Sequence, residues 1–159
     1  MLTTFVRTVC AIALLTAASG PALADLKMPK NLRPLPSRAV NDIYSSKSVV
    51  FSDFRYYYSK DGKVVGFSEK PLSFAEGRWT TNKNRACVDV VWKGAKNTPP
   101  FSFNACYDWF TDGQAYWTQI SASSDGSLVG QVFQGNPGLV RDQDVVSRRV
   151  TTAKQQLGY

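Results

Sequence analysis

The feature that most constrains the fold of this chain is a succession of short runs of β-branched and aromatic residues, which begins at Lys47. The runs recur at intervals of about 10–15 residues, and no long helical pattern interrupts them. Turn residues separate the runs, as at Asp61-Gly62, where an Asp-Gly pair favours a tight hairpin turn. The pattern predicts a mainly β chain whose single antiparallel, β-barrel-like (lipocalin-like) sheet closes, or nearly closes, on itself.

One short helix is predicted ahead of the strands. Ser37 is a suitable N-cap, and Val40 and Tyr44 follow it at helical spacing, so we expect the helix to end near Ser45. The predicted strands occupy, in chain order, residues 48–51, 54–59, 64–68, 73–75, 77–82, 85–92, 101–109, 114–122, 127–134 and 144–150.

The first residues of the chain have the pattern of a secretory signal. Arg7 precedes an apolar run over residues 8–18, which is too short to span a bilayer core of about 30 Å. Ala22-Leu23-Ala24 then supplies a small-x-small cleavage site, and we expect Cys10 to leave with the signal. The predicted segments are a cleavable signal peptide over residues 1–24, a proline-rich extended lead-in over 25–36, a β-rich domain over 37–150 and a polar tail over 151–159.

Export changes the interpretation of the two remaining cysteines. Cys87 and Cys106 form an even pair in an exported chain, and we expect a disulfide between them. If they face each other across an antiparallel pair, Asp89 faces Asn104, and both lie with the disulfide on the less buried face. The core face of this hairpin would then carry Val88, Val90, Trp92, Phe101, Phe103 and Ala105.

The chain contains no histidine, which excludes whole classes of chemistry. Ser-His-Asp hydrolysis, Cys-His thiol catalysis and His-ligated metal sites cannot be built within this chain. We therefore predict no metal site and no cofactor, and we expect a binding protein before an enzyme. The net charge of the whole chain is +7, and outside the cytoplasm this charge favours anionic envelope polymers or lipids over nucleic acid. Because the cations are interspersed with acids, the pattern favours a basic surface without a specific partner over either.

Two residues at the start of one predicted strand are candidates for ligand binding. Trp79 could stack on a sugar ring while Arg78 binds an anionic group. The alternative is a buried Trp79 in the core of the sheet with Arg78 extending to solvent, and the pattern favours that alternative.

The densest aromatic stretch, residues 54–58, supplies a second candidate surface. Alternation places Arg55 and Tyr57 on the side of the strand opposite its other aromatic residues. Together with Trp109, Tyr116 or Trp117, they could form a stacking surface for a glycan. The alternative is that these aromatic residues belong to the core of a small β-domain.

Carboxylates could hydrolyse a glycosidic bond without histidine, so pairs of acids need to be considered. Asp108 and Asp112 lie near each other in the chain, and Glu76 and Asp89 lie in neighbouring predicted strands. However, Asp108 and Asp112 bracket a predicted turn, where aspartate commonly forms local hydrogen bonds. We therefore rank a carboxylate-based glycan hydrolase below the binding hypotheses.

Several of these features together resemble domain of unknown function 995, an uncharacterised proteobacterial family of small exported proteins. The resemblance extends from about Val40 to Leu139. It rests on residues 42–44, on Ala75-Glu76-Gly77-Arg78-Trp79, on Cys87 followed by Trp92, on Cys106 and on Gly135-Asn136-Pro137. It implies export and a β-rich fold, and it brings no activity and no catalytic residues.

The sequence thus predicts a periplasmic or secreted bacterial protein, expected to be a monomer without a transmembrane span after signal cleavage. Our leading hypothesis is a non-catalytic module that binds an anionic or glycan envelope component, such as a polysaccharide, peptidoglycan or anionic lipid. The alternative is a lipocalin-like carrier that holds a small apolar ligand inside the sheet.

Overall fold

The computed structural model describes residues 26–159, so the predicted signal peptide and its cleavage at Asp25 lie outside the described residues. Two helices and ten strands follow one another along the chain. They are β1 (Arg33–Pro34), α1 (Ser37–Tyr44), β2 (Lys47–Val50), β3 (Phe54–Tyr58), β4 (Lys63–Glu69), β5 (Leu72–Asn82), β6 (Arg85–Lys93), β7 (Phe101–Thr111), β8 (Tyr116–Ser123), β9 (Val132–Gln134), β10 (Leu139–Arg141) and α2 (Ser147–Leu157).

All the strands belong to one antiparallel sheet, which confirms the predicted mainly β, barrel-like fold. The strand order is β10-β2-β3-β4-β5-β6-β7-β8-β9, and β1 pairs with the far end of β7. The sheet is a curled half-barrel, because β9 and β10 at its two edges are joined by residues 135–138 without pairing with each other. Helix α1 occupies the predicted segment, but the predicted N-cap is wrong, because Ser37 is the first helical residue and Pro36 takes the N-cap position without a side-chain hydrogen bond.

The sheet curls around the end of α1. The ring of Tyr44 lies 4.9 Å from that of Tyr58 on β3, 6.1 Å from Trp79 on β5 and 5.9 Å from Trp109 on β7. One side chain can contact three non-adjacent strands only if the sheet bends around it, so α1 fills the concave side. Burial of these aromatic and aliphatic side chains is the main source of stability on this side.

The convex side is covered by the second helix, which the sequence did not predict. The expected strand over 144–150 is wrong, because α2 begins at Ser147 and continues through most of the predicted polar tail. Val146, Val150 and Ala153 recur at helical spacing and are buried against Phe67 and Phe74 on β4 and β5. Packing on the sheet therefore outweighs the β-branched composition of this segment.

Other element bounds differ from the prediction for local reasons. The expected strands 73–75 and 77–82 form the single strand β5, since Gly77 continues the ladder. A Cβ atom at Gly77 would meet the backbone oxygen of Asp89 at 1.9 Å, so a glycine permits this close strand approach. The expected strand 127–134 contains a 3₁₀ turn, Gly126–Leu128, before the short β9.

The β6–β7 hairpin has the predicted register. Cys87 pairs with Cys106 and forms the disulfide, while Asp89 pairs with Asn104 and is exposed. The opposite face of the hairpin is the core face, except that Phe101 at its end is 59% exposed. Within residues 26–159, no helix is long and apolar enough to cross a membrane.

Candidate functional site: an aromatic groove at the open end of the sheet

The two tryptophans expected at binding surfaces lie in the interior. Trp79 is 5% exposed and its Nε1 donates a hydrogen bond to the Ser59 carbonyl at 2.8 Å. Trp109 is 1% exposed beside Tyr44. Arg78 extends from the convex face to solvent, as the alternative interpretation of this pair required. Neither tryptophan presents a ring face for stacking in this conformation.

Arg55 and Tyr57 lie on the convex side, next to α2. The Arg55 guanidinium is 3.7 Å from the Glu69 carboxylate and 5.7 Å from the centre of the Phe67 ring, and Tyr57 packs against the cluster under α2. The structure therefore does not bring the five predicted binding residues together. Two of them lie inside the sheet and three lie outside it.

The carboxylates considered for glycan hydrolysis make structural contacts. Asp108 accepts two hydrogen bonds from the Arg85 guanidinium at 2.6 and 2.8 Å. Asp112 accepts from the backbone amides of Ala115 and Gln114, and these hydrogen bonds, with one from Trp117, lower the pKa of Asp112. A general acid for this chemistry needs a raised pKa, which is the opposite direction.

A different set of side chains forms an apolar cleft. It is a groove of about 400 Å³ on the concave side, where β3, β5 and β7 begin and β4 and β6 end. This size falls within the range of small-ligand sites. Its lining consists of Asp53, Phe54, Tyr56, Ser68, Lys70, Pro71, Ser73, Trp92, Phe101, Phe103, Asp125 and Leu128.

The aromatic rings of the groove are held in a fixed arrangement. The rings of Trp92 and Phe101 are parallel to within 10°, with centroids 6.5 Å apart, and Phe54 meets Trp92 edge-on at 82°. The Trp92 indole N–H donates to the Tyr56 hydroxyl at 3.1 Å. Burial raises the pKa of Tyr56 above its ordinary value, so its hydroxyl remains protonated at neutral pH and keeps a proton to donate.

Polar groups surround the aromatic floor. Asp53, Lys70 and Asp125 are exposed at the rim. Hydrogen bonds from the side chain and then the backbone of Ser127 lower the pKa of Asp125, so this carboxylate is an ionised acceptor at neutral pH. The groove can thus accept hydrogen bonds at its edge while it contacts an apolar surface at its centre.

The groove does not continue into a hollow interior. Phe54 and Phe103 at its base pack directly against the buried cluster around Tyr44. The site is therefore an open cleft above a filled core, with room for one small ligand or one unit of a longer one.

Sequence reasoning placed the aromatic residues of this groove in the core and missed their collective role. Trp92 and Phe101 were correctly predicted to share a face of the β6–β7 hairpin. The sequence contained one indication of the groove. Trp92 and Phe101 form the last residue pair of this hairpin, and the buried core ends where the strands end. Residues from the β4–β5 turn and the loop after β8 complete the groove, and their proximity depends on how the sheet curls.

Among residues 26–159, no three His, Cys, Asp or Glu side chains come together as ligands for a metal ion. A family model described as "Protein of unknown function (DUF995)" matches residues 11–148. No curated protein and no solved structure matches the chain.

Proposed function

The chain belongs to the DUF995 family of proteins of unknown function, and we propose that it is an exported, non-catalytic binding protein whose aromatic groove binds a sugar unit of an envelope glycan. One observation carries this proposal. The ring of Phe101 is largely exposed at an open, polar-rimmed cleft, where it lies parallel to the buried ring of Trp92. Exposure of a large apolar ring at a concave site costs free energy and indicates a binding surface.

The chemistry of the groove suits a sugar better than an anion. Sugar rings combine an apolar C–H face with a hydroxyl edge, which matches an aromatic floor and a rim of carboxylate and hydroxyl acceptors. The rim carries the carboxylates of Asp53 and Asp125 against the single ammonium of Lys70. This charge balance favours a neutral glycan segment over a phosphorylated or carboxylated one at this site.

Three features support export to the periplasm or the medium. The first residues have the pattern of a secretory signal, and Cys87 and Cys106 form a disulfide, which persists in oxidising compartments. The positive net charge fits an environment of anionic envelope polymers.

The proposal is tested with the variant Phe101→Ala, because this exposed side chain can be removed with little effect on folding. Retention on peptidoglycan, lipopolysaccharide and exopolysaccharide identifies the glycan, and calorimetric titration with its oligosaccharides gives the affinity. Loss of one stacked ring should weaken binding roughly tenfold. Tyr116→Ala is the matched control, since the Tyr116 side chain is likewise aromatic and 51% exposed but lies outside the groove. Equal affinities for the two variants, or no retention at low salt, would overturn the proposal.

A second candidate function is a carrier of a small apolar ligand, because Phe54, Phe103 and Leu128 provide apolar lining without hydrogen-bonding groups. The variant Asp125→Asn separates the two. It should weaken binding of a glycan, which needs the rim acceptor, and leave binding of an apolar ligand unchanged. Native mass spectrometry of the purified protein should show a co-purifying lipid only if the carrier function is correct.

A further inference from the structure

The convex side of the sheet carries a second cleft, which is separate from the aromatic groove. It has a volume of about 520 Å³ and lies between α2 and the β4–β5 hairpin. Its lining consists of Phe67, Glu69, Leu72, Arg148, Arg149, Thr152, Ala153 and Gln156. Phe67 and Leu72 belong to the convex face of the sheet, so a ligand here could not contact the aromatic groove on the concave face.

This cleft has an excess of guanidinium groups. The Glu69 carboxylate lies 2.5 Å from a guanidinium nitrogen of Arg149 and 3.7 Å from one of Arg55, so two cations share one anion. Arg148 makes no salt bridge with any residue that the structure describes. Arg148 is therefore left without a neutralising carboxylate. Arg149 and Arg55 together carry two positive charges against the single negative charge of Glu69.

A related arrangement on the same face is the internal reference. Glu76 is shared by Lys154 at 2.5 Å and Lys93 at 3.6 Å, beside the Phe74 ring. This unit has the same composition of two cations, one carboxylate and one ring, but none of its four residues lines the cleft. Substitutions in the two units can therefore distinguish an effect of the overall positive charge from an effect of the charge that lines the cleft.

We propose that the convex cleft binds the phosphate group of a phosphorylated sugar. A guanidinium presents paired N–H donors that match phosphate oxygens, and Arg148 and Arg149 both border the cleft. Gln156 lies two helical turns further along the same side of α2 and supplies a neutral amide for a hydroxyl group. Phe67 and Leu72 provide an apolar wall for the face of the sugar ring.

The role of Glu69 follows from this arrangement. Glu69 competes with the incoming phosphate for Arg149, and it repels a dianion across the cleft. Arg148 is the primary anchor, because it can meet the phosphate without breaking an existing ion pair. The two residues should thus affect phosphate affinity in opposite directions.

The test is an NMR titration of the ¹⁵N-labelled protein with glucose 1-phosphate at low salt. Arg148→Gln should weaken binding about tenfold, whereas Glu69→Gln should strengthen it several-fold. Lys93→Gln removes the same unit of charge outside the cleft and should leave the affinity within about twofold of wild type. Amide hydrogen exchange in α2 as slow as in the wild type establishes for each variant that the helix is still in place.

Three results would overturn the inference. They are equal weakening by Arg148→Gln and Lys93→Gln, weakening by Glu69→Gln, and binding to phosphatidylglycerol vesicles without binding to glucose 1-phosphate or inorganic phosphate. Binding of inorganic phosphate as tightly as the sugar phosphate would contradict the role of the apolar wall. Phe101→Ala should leave this affinity unchanged, so the result is independent of the glycan site in the aromatic groove.

Discussion

On each face of the sheet, a helix covers an apolar cluster, but the two clusters differ in their chemistry. On the concave side, α1 and the inward side chains of the strands form an extensive aromatic and aliphatic core. On the convex side, α2 covers a smaller cluster, centred on Phe67 and Phe74, and charged residues surround it. A comparison of the two shows which parts of the stability depend on burial and which depend on charge.

The concave cluster satisfies two of its three indole N–H groups internally, while the buried indole N–H of Trp109 has no hydrogen-bond partner among the described residues. The indole N–H groups of Trp79 and Trp92 donate to the Ser59 carbonyl and the Tyr56 hydroxyl. Burial raises the pKa values of Tyr44 and Tyr58 well above their ordinary range, because the interior disfavours a phenolate. Salt should therefore have little effect on this side of the molecule.

The convex cluster is enclosed by two similar ionic units. Phe67 on β4 pairs with Phe74 on β5, and each strand carries a glutamate two residues further on. Glu69 forms an exposed ion pair with Arg149 near one end of α2, and Glu76 forms a partly buried ion pair with Lys154 near the other. Exposed pairs contribute little free energy and are weakened by salt. The helix should thus dissociate from the sheet more readily than the sheet unfolds.

The largest expected effect is alkaline unfolding that begins in the concave cluster. Tyr44, Tyr56, Tyr58 and Tyr107 have raised pKa values because they are buried, and that of Tyr107 rises to about 12. Their stabilisation is complete below pH 10 and is lost as the pH rises, because the unfolded chain then releases protons that the folded chain retains. Each such tyrosine contributes about 1.4 kcal/mol per pH unit.

The variant Tyr107→Phe tests this account. Urea denaturation between pH 9 and pH 12 should show a shallower loss of stability in the variant, by about 1.4 kcal/mol per pH unit above pH 10. Below pH 9 the two proteins should have parallel stability curves, which is the internal control. Identical slopes above pH 10 would contradict the burial of a neutral Tyr107 in the folded state.

The next largest effect concerns the wall of the concave cluster. The disulfide between Cys87 and Cys106 joins β6 and β7, whose opposite face carries Val88 and Ala105 of the core. Replacing both cysteines by alanine should lower the free energy of unfolding by about 3 kcal/mol, since the cross-link restricts the unfolded chain. Chemical denaturation of both proteins measures the difference. An unchanged denaturation midpoint would show that the strand pairing alone holds this wall.

The comparison of the two faces also explains how far the sequence predicted the fold. The concave face follows from local rules, since alternation and the pairing of Cys87 with Cys106 correctly placed Val90 and Trp92 inside. The convex helix does not follow from them, because Val145, Val146 and Val150 have the composition of a strand. Contact with Phe67 and Phe74 on the sheet favours the helix there.

The candidate site was less predictable than the fold for a similar reason. Lys70 in the β4–β5 turn and Leu128 after β8 line the aromatic groove together with Trp92, although they are far apart in the chain. Strand periodicity gives the face of a side chain, but it does not give the curvature that brings loops together at one end of a sheet. That curvature is seen only in the structure, where the sheet bends around Tyr44.

A matched pair of substitutions separates the two clusters. Val150→Ala on α2 and Val40→Ala on α1 remove the same two carbon atoms from buried positions. Each change should cost about 1.5 kcal/mol, but Val150→Ala should act on α2 alone while Val40→Ala lowers the stability of the whole sheet. Amide hydrogen exchange distinguishes the outcomes, because only the second variant should accelerate exchange in β5 and β6. Faster exchange in these strands for Val150→Ala would show that the two faces unfold together.

The smallest expected effect is an acid sensitivity of the convex helix. The Asp144 side chain accepts hydrogen bonds from the amides of Val146 and Ser147 at the start of α2. Its partial burial by itself raises the pKa, but hydrogen bonds from Ser147 and Val146 outweigh it and lower the pKa below 3.8. The stabilisation is therefore present above pH 4 and is lost as the pH falls through the lowered pKa.

The variant Asp144→Asn isolates this contribution, because it leaves Glu69 and Glu76, which also face α2, unchanged. Hydrogen exchange of the α2 amides between pH 2.5 and pH 5 should reveal a difference between the two proteins of about 0.5 kcal/mol, which disappears at the lowest pH. The amides of β5 and β6 should show no such difference, because the concave cluster has no part in this contact. A difference of equal size in those strands would mean that acid weakens the sheet itself, and the separation of the two faces would then fail.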